Sequence, residues 1–80
     1  LKSDVWSFGV VCWEIFSFGT KPYPEMTPNE AAGKIVKENY RMPNPNEKVC
    51  SKEIYQIMLD CWKNDPNERP NFQQIYERLK

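Results

Sequence analysis

The stretch from Ser3 to Gly19, SDVWSFGVVCWEIFSFG, constrains this chain more than any other. Between Val5 and Phe16, nine positions are apolar or Cys: Val5, Trp6, Phe8, Val10, Val11, Cys12, Trp13, Ile15 and Phe16. A run of that length suits a helix and exceeds an ordinary strand. At about 100° per residue, Ser3, Asp4, Ser7, Glu14 and Ser17 gather on one side and the rest of the wheel is apolar. A helix apolar around most of its girth has to be surrounded by protein. A two-helix hairpin cannot surround it, so the stretch predicts the central post of a larger helical body.

Several features predict that the 80 residues are a piece of that body. The sequence opens at Leu1, three residues before the apolar helix, and closes at Leu79-Lys80 inside a helical pattern. A chain of this size buries only about 60–65 % of its unfolded surface, which leaves it marginal alone. Hydrophobic content of 40 % beside 28 % charged residues is globular and argues against disorder. Formal net charge is zero, which removes the electrostatic case for nucleic acid or an anionic membrane as partner. No apolar run approaches ~20 residues, so no membrane span or signal peptide is expected in this segment. Cys12, Cys50 and Cys61 match no zinc spacing. They read as reduced thiols of an intracellular protein, Cys12 and Cys61 as small buried hydrophobes.

Taken in order, the chain predicts four helices, no sheet and no repeats. The first runs from about Asp4 to Ser17, with Ser3 or Asp4 as N-cap and Gly19 at the left-handed stop. Gly9 in its middle costs about 1 kcal/mol against Ala and signals the close approach of another backbone. Residues Thr20 to Met26 form a loop, with Pro22 and Pro24 bracketing Tyr23. Thr27, Pro28 and Glu30 form a capping box with proline at the first helical position. That helix reaches about Lys37 and lies on the surface, with a narrow face of Ala31, Ala32, Ile35 and Val36. Glu38 to Cys50 is a Pro- and Asn-rich connector. A third helix runs from near Ser51 to Trp62 or Lys63, and its wide face carries Ile54, Tyr55, Met58, Leu59, Cys61 and Trp62. After a turn at Asn64-Asp65-Pro66, Asn71 and Gln74 cap a last helix striped by Phe72, Ile75, Tyr76 and Leu79.

No catalytic constellation is visible. Histidine is absent, and the three glycines, Gly9, Gly19 and Gly33, are too far apart for a phosphate loop. Serines lack a base. The pairs Glu47 with Glu53 and Asp60 with Asp65 read as solvated charges. Two residues stand out. Asp4 opens the apolar helix, either capping it or accepting N–H bonds from a neighbouring loop. Arg69 is either a surface arginine or one arm of a bidentate pair with a buried carboxylate. No residue in the chain is an obvious partner for it.

Taken together, the residues resemble the C-terminal part of a protein kinase catalytic domain, over essentially all of 1–80. Ser3-Asp4-Val5-Trp6-Ser7-Phe8-Gly9-Val10 looks like the start of the large lobe's central helix. Arg69-Pro70, after Cys61-Trp62 and Asp65-Pro66, looks like the element that closes that lobe. The tyrosine-kinase branch fits best, through Trp13-Glu14, Phe16-Ser17-x-Gly19, Pro22-Tyr23, Tyr40-Arg41-Met42 and Cys61-Trp62. The nearest rival is the tyrosine-kinase-like serine/threonine group. Departures are modest: Asn39 where the family often has Gly, Ser51 where it often has Pro, and about two extra residues between Pro45 and Cys50.

The resemblance implies an all-α fragment of the helical C-lobe. It implies that Asp4, with Trp6 and Gly9, supports the catalytic loop, and that Arg69 anchors an ion pair with the glutamate of an Ala-Pro-Glu motif. Both partners would lie upstream of Leu1. It also implies a cytoplasmic parent tyrosine kinase that uses ATP and Mg2+ to phosphorylate protein tyrosines. The Gly-rich loop, the ATP-binding lysine, His-Arg-Asp and Asp-Phe-Gly are absent from these 80 residues, so no catalytic, cofactor or metal residue is expected here and the piece alone should be inactive. Two alternatives remain: a pseudokinase, differing only upstream, and a non-catalytic helical interaction module. In the second, a partner would cover the first helix.

Overall fold

The computed structural model describes residues 1–23 and 26–80. Pro24, half of the proline bracket around Tyr23, lies outside the described residues. The observed fold is all-α: α1 (Lys2–Phe16), α2 (Pro28–Glu38), α3 (Lys52–Cys61), a single 3₁₀ turn (Pro66–Glu68) and α4 (Phe72–Leu79). There is no strand among the described residues.

The ends of the helices follow local chemistry. The Thr27 hydroxyl accepts from the Glu30 N–H and the Glu30 carboxylate accepts from the Thr27 N–H, so the capping box is complete, with Pro28 behind it. Asn71 and Gln74 close the same reciprocal pair on α4. Ser51 caps α3 by accepting from the Ile54 N–H. Asn39 ends α2 at φ 54°, the left-handed conformation that asparagine tolerates. Both ends of α1 differ from expectation. The helix starts at Lys2 with Leu1 at the N-cap position, and neither Ser3 nor Asp4 caps it. At the other end Phe18, not only Gly19, is left-handed (φ 58° and 86°). Gly19 N–H donates to Glu14 O at 2.9 Å and Phe18 N–H to Ile15 O at 3.1 Å, the paired bonds of a Schellman ending.

Packing centres on the line where α1 meets α3. Val5, Gly9 and Trp13 are the buried residues of α1, against Ile57, Met58 and Cys61 of α3 and the adjoining Trp62. Trp62, Met42, Met58, Ile75 and Val5 are sealed from solvent. Each such side chain contributes about 1.5–3 kcal/mol of burial. The connector joins this core: Trp13 Nε1–H donates to Pro43 O (2.9 Å) and the Tyr55 hydroxyl to Met42 O (2.6 Å). From α4, only Ile75 is buried. The apolar face assigned to α2 is thinner than its pattern suggests: Ala31 is buried but Val36 is 79 % exposed.

The central helix is not surrounded. The molecule is a slab of 35 × 31 × 17 Å. Packed helix axes lie about 8–10 Å apart, so three stacked layers would need about 20 Å or more, and this thickness leaves no room for helices on both sides of α1. The outer side of α1 therefore stays open, with Val11 and Ile15 exposed beside the exposed Phe18.

The close approach predicted at Gly9 exists, but a side chain makes it. A Cβ added at Gly9 would meet Trp62 Nε1 at 2.7 Å and Cys61 Cβ at 3.0 Å. A Cβ at Gly33 would meet nothing within 4 Å. Gly9→Ala should therefore destabilise the protein by about 1–3 kcal/mol despite the better helix former. Gly33→Ala should stabilise it by about 0.5–1 kcal/mol. Urea melts of the two variants beside the wild type check both signs.

Candidate functional site

The residues with the densest polar organisation meet at Trp6, near the start of α1. The Asp65 carboxylate accepts from Asn67 N–H (2.9 Å) and starts the 3₁₀ turn, with Pro66 preset behind it. The turn delivers Arg69 in extended conformation. Its Nε donates to Lys63 O (2.8 Å) and its Nη1 to Lys2 O (3.2 Å). Lys2 Nζ donates in return to Arg69 O. The guanidinium carbon lies 5.0 Å from the centre of the Trp6 ring.

A second guanidinium shares that ring. Arg41 Cζ is 5.2 Å from the Trp6 centroid. Its Nε donates to Trp62 O (2.8 Å), Nη1 to Tyr40 O (2.7 Å) and Nη2 to Asn64 Oδ1 (2.8 Å). Asn64 is held in turn by donating to Asn39 Oδ1 at 3.2 Å. The rings of Trp6 and Trp62 lie 6.5 Å apart, tilted by 47°. Burial pulls the Arg41 guanidinium below its ordinary pKa; the Tyr23 hydroxyl opposes this and the Arg69 charge adds to it. Arginine stays charged nonetheless. Cation–π contacts of this kind are worth about 0.5–2 kcal/mol each, depending on desolvation.

Of the four positions singled out from sequence, three come together: Trp6 under Arg69, and Gly9 against the Trp62 ring that neighbours Trp6. Arg69 is half-buried and bonded to main-chain carbonyls, so it is not a free surface arginine. No carboxylate pairs with it among the described residues. Asp4 is apart. Its side chain is 70 % exposed, on the side of α1 that carries Val11 and Ile15. Arg41 was not foreseen as part of this site. Tyr40-Arg41-Met42 is visible as a run, but Trp6, Trp62 and Asn64 are brought to Arg41 only by the fold. Asp60 also departs from the reading as a solvated charge, since its carboxylate accepts from Arg78 Nη1 at 2.8 Å. Glu47 and Glu53 are exposed, as expected.

The model for protein tyrosine and serine/threonine kinases matches residues 1–79. The chain belongs to this family. It is 53 % identical over 78 residues to vascular endothelial growth factor receptor 1 of Gallus gallus, covering 98 % of this chain. It is 51 % identical over 77 residues to ephrin type-A receptor 5 of Gallus gallus, covering 96 % of the chain. To vascular endothelial growth factor receptor 2 of Mus musculus it is 49 % identical over 79 residues, 99 % of the chain. The chain spans only 6–7 % of the length of these relatives. The four helices are a piece of the kinase C-lobe.

Kinases use ATP and Mg2+, and the residues present here do not fit either. Among the described residues no three His, Cys, Asp or Glu side chains cluster as metal ligands. The glycines sit in separate elements and form no backbone cradle for phosphate. No helix among the described residues is long and apolar enough to cross a membrane.

The three cysteines are free, with Cys50 and Cys61 buried and Cys12 half-buried. Burial, then the neighbouring Cys12 and Asp60, pushes the Cys61 thiol from 9.0 up to about 11, with Arg78 and Arg69 opposing. Burial also raises Cys12 and Cys50. The folded state keeps the Cys61 proton longer than the unfolded chain does. Its contribution to stability is therefore complete below pH 9 and falls as pH rises from 9 to 11. The loss should reach roughly 2 kcal/mol at pH 11. Denaturant melts of the wild type and Cys61→Ala, compared across that range, should differ by this extra slope.

Proposed function

We propose that these helices are the C-terminal part of the catalytic domain of a protein tyrosine kinase. The parent chain transfers the γ-phosphoryl group of ATP, with Mg2+, to tyrosine hydroxyls of proteins. The observation that carries this reading is the near-complete coverage at about half identity by relatives named as growth-factor and ephrin receptors. The tyrosine-kinase forms of the motifs, Trp13-Glu14, Tyr40-Arg41-Met42 and Cys61-Trp62, support it. The domain would face the cytosol, and signalling by tyrosine phosphorylation of protein substrates would be its output.

In this reading the 80 residues do not themselves bind nucleotide or move phosphate. They position the parts that do. Asp4 would accept N–H bonds from the catalytic-loop backbone. Its exposure without a capping role, beside apolar residues that nothing covers, supports that assignment. Trp6 and Gly9 would seat the helix against the rest of the lobe. Arg69 would receive the glutamate of an Ala-Pro-Glu motif; it is held here by neutral acceptors and has no ion pair among the described residues.

Three measurements test the reading. In the parent kinase, Asp4→Ala should lower kcat at least about tenfold, roughly 1.4 kcal/mol of barrier, while the melting temperature moves little. Unchanged turnover would refute the anchoring role. The isolated 80-mer should show no saturable ATP binding by calorimetry. Saturable binding would show that nucleotide contacts lie within it. Reading the polypeptide N-terminal to Leu1 is the direct check on the parent: His-Arg-Asp, Asp-Phe-Gly and Ala-Pro-Glu are expected there.

A further inference from the structure

Trp6 carries two guanidiniums that come from distant parts of the chain, and neither has an ionic partner among the described residues. Lys2 adds a third positive charge, bonded to the Arg69 carbonyl. Asp60, Asp65 and Glu68 line the hollow that Arg41 also lines, yet none forms an ion pair with Arg41 or Arg69.

The two arginines are held differently. All three nitrogens of Arg41 are engaged, on Trp62 O, Tyr40 O and Asn64 Oδ1. It is therefore a fixed cation, tied to the end of α3 and to the connector. Arg69 engages Nε and Nη1. Of its five N–H groups three remain, both of those on Nη2 included. That edge can still grip a carboxylate. Two main-chain carbonyls and the Trp6 ring orient it, and Arg41 lies against the same ring, which Trp62 also neighbours.

We propose that Arg41 is a positioning residue for the Arg69 anchor, acting through the indole they share and adding its charge to the site where a carboxylate of the parent chain docks. This rests on the kinase reading for its consequence in catalysis, but the coupling of Arg41, Trp6 and Arg69 does not. Fixing the ring holds the free edge of Arg69 in one direction, and the second cation strengthens the field that draws the carboxylate to it. Loss of the Arg41 charge should therefore act on the docked segment and on turnover, not on nucleotide affinity.

The test uses the full parent chain with Arg41→Gln, Arg41→Lys, Arg69→Lys and the double variant Arg41→Gln/Arg69→Lys. Glutamine keeps a hydrogen-bonding head and loses the charge; lysine keeps the charge over the indole. Arg41→Gln should lower kcat for a tyrosine peptide about three- to tenfold, with KM for ATP unchanged. Arg41→Lys should restore most of it. In the double variant the Gln substitution should add less than twofold to the Arg69→Lys defect, because the two act on one interaction. A second readout is independent of activity: the Trp6 indole N–H and Arg69 Nε–H resonances should shift with Arg41→Gln and return with Arg41→Lys. If Arg41→Gln does not fold, Arg41→Met, which keeps the apolar stem and loses the charge, takes its place in the same cycle. Multiplicative effects in the double variant, a lysine variant as impaired as the glutamine variant, or unmoved Trp6 and Arg69 resonances would overturn the proposal. A wild-type parent that transfers no phosphate while the resonances couple would contradict the kinase reading and leave the coupling standing.

Discussion

The structure depends on one contact, the seat of the Trp62 indole against the bare backbone of Gly9. It allows α1 and α3 to approach closely enough to bury Val5, Trp13, Met58 and Cys61 in one seam. It has a cost, because the buried Trp62 Nε1–H finds no acceptor among the described residues. A buried donor left unpaired costs about 1–3 kcal/mol. Burial of the large indole ring offsets that. Everything at the candidate site follows from this placement. The Trp62 carbonyl receives Arg41, the Trp62 ring neighbours Trp6, and Trp6 carries Arg69.

α1 has two working sides. One packs on α3 through Val5, Gly9 and Trp13. The other carries Asp4, Val11 and Ile15 in the open. An apolar helix with only one side covered is what a central post looks like when a layer of its fold is not present. The slab shape states the same constraint in dimensions, since 17 Å leaves no room for helices on both sides. In the proposed kinase, the open side would meet the catalytic machinery and the seam would support it from behind.

Much of this was legible from the residues. Capping residues act within three positions, so Thr27 with Glu30 and Asn71 with Gln74 could be read directly, and both boxes are present. The helical run of α1 was legible because its length excludes a strand. Its ends were less so. Ser3 and Asp4 look like caps in sequence, yet α1 begins ahead of them, and the left-handed position falls on Phe18 as well as Gly19. Gly9 signalled a close approach but not what approaches, because the neighbour is about fifty residues away. Separation in sequence hid Arg41 as well. Its ring and its acceptors come from three places, Trp6, the adjacent Tyr40, and Trp62 with Asn64, and nothing local marks an arginine that will be held by main-chain carbonyls.

Native-state hydrogen exchange is the most direct test of the claim that the Gly9–Trp62 seam holds the structure together. Amides from Gly9 to Trp13 and from Met58 to Trp62 should exchange slowest, with one shared opening free energy equal to that of global unfolding. α2, whose single buried residue is Ala31, should open at lower free energy. Slowest exchange in α2 or α4, or separate openings of α1 and α3, would contradict the account.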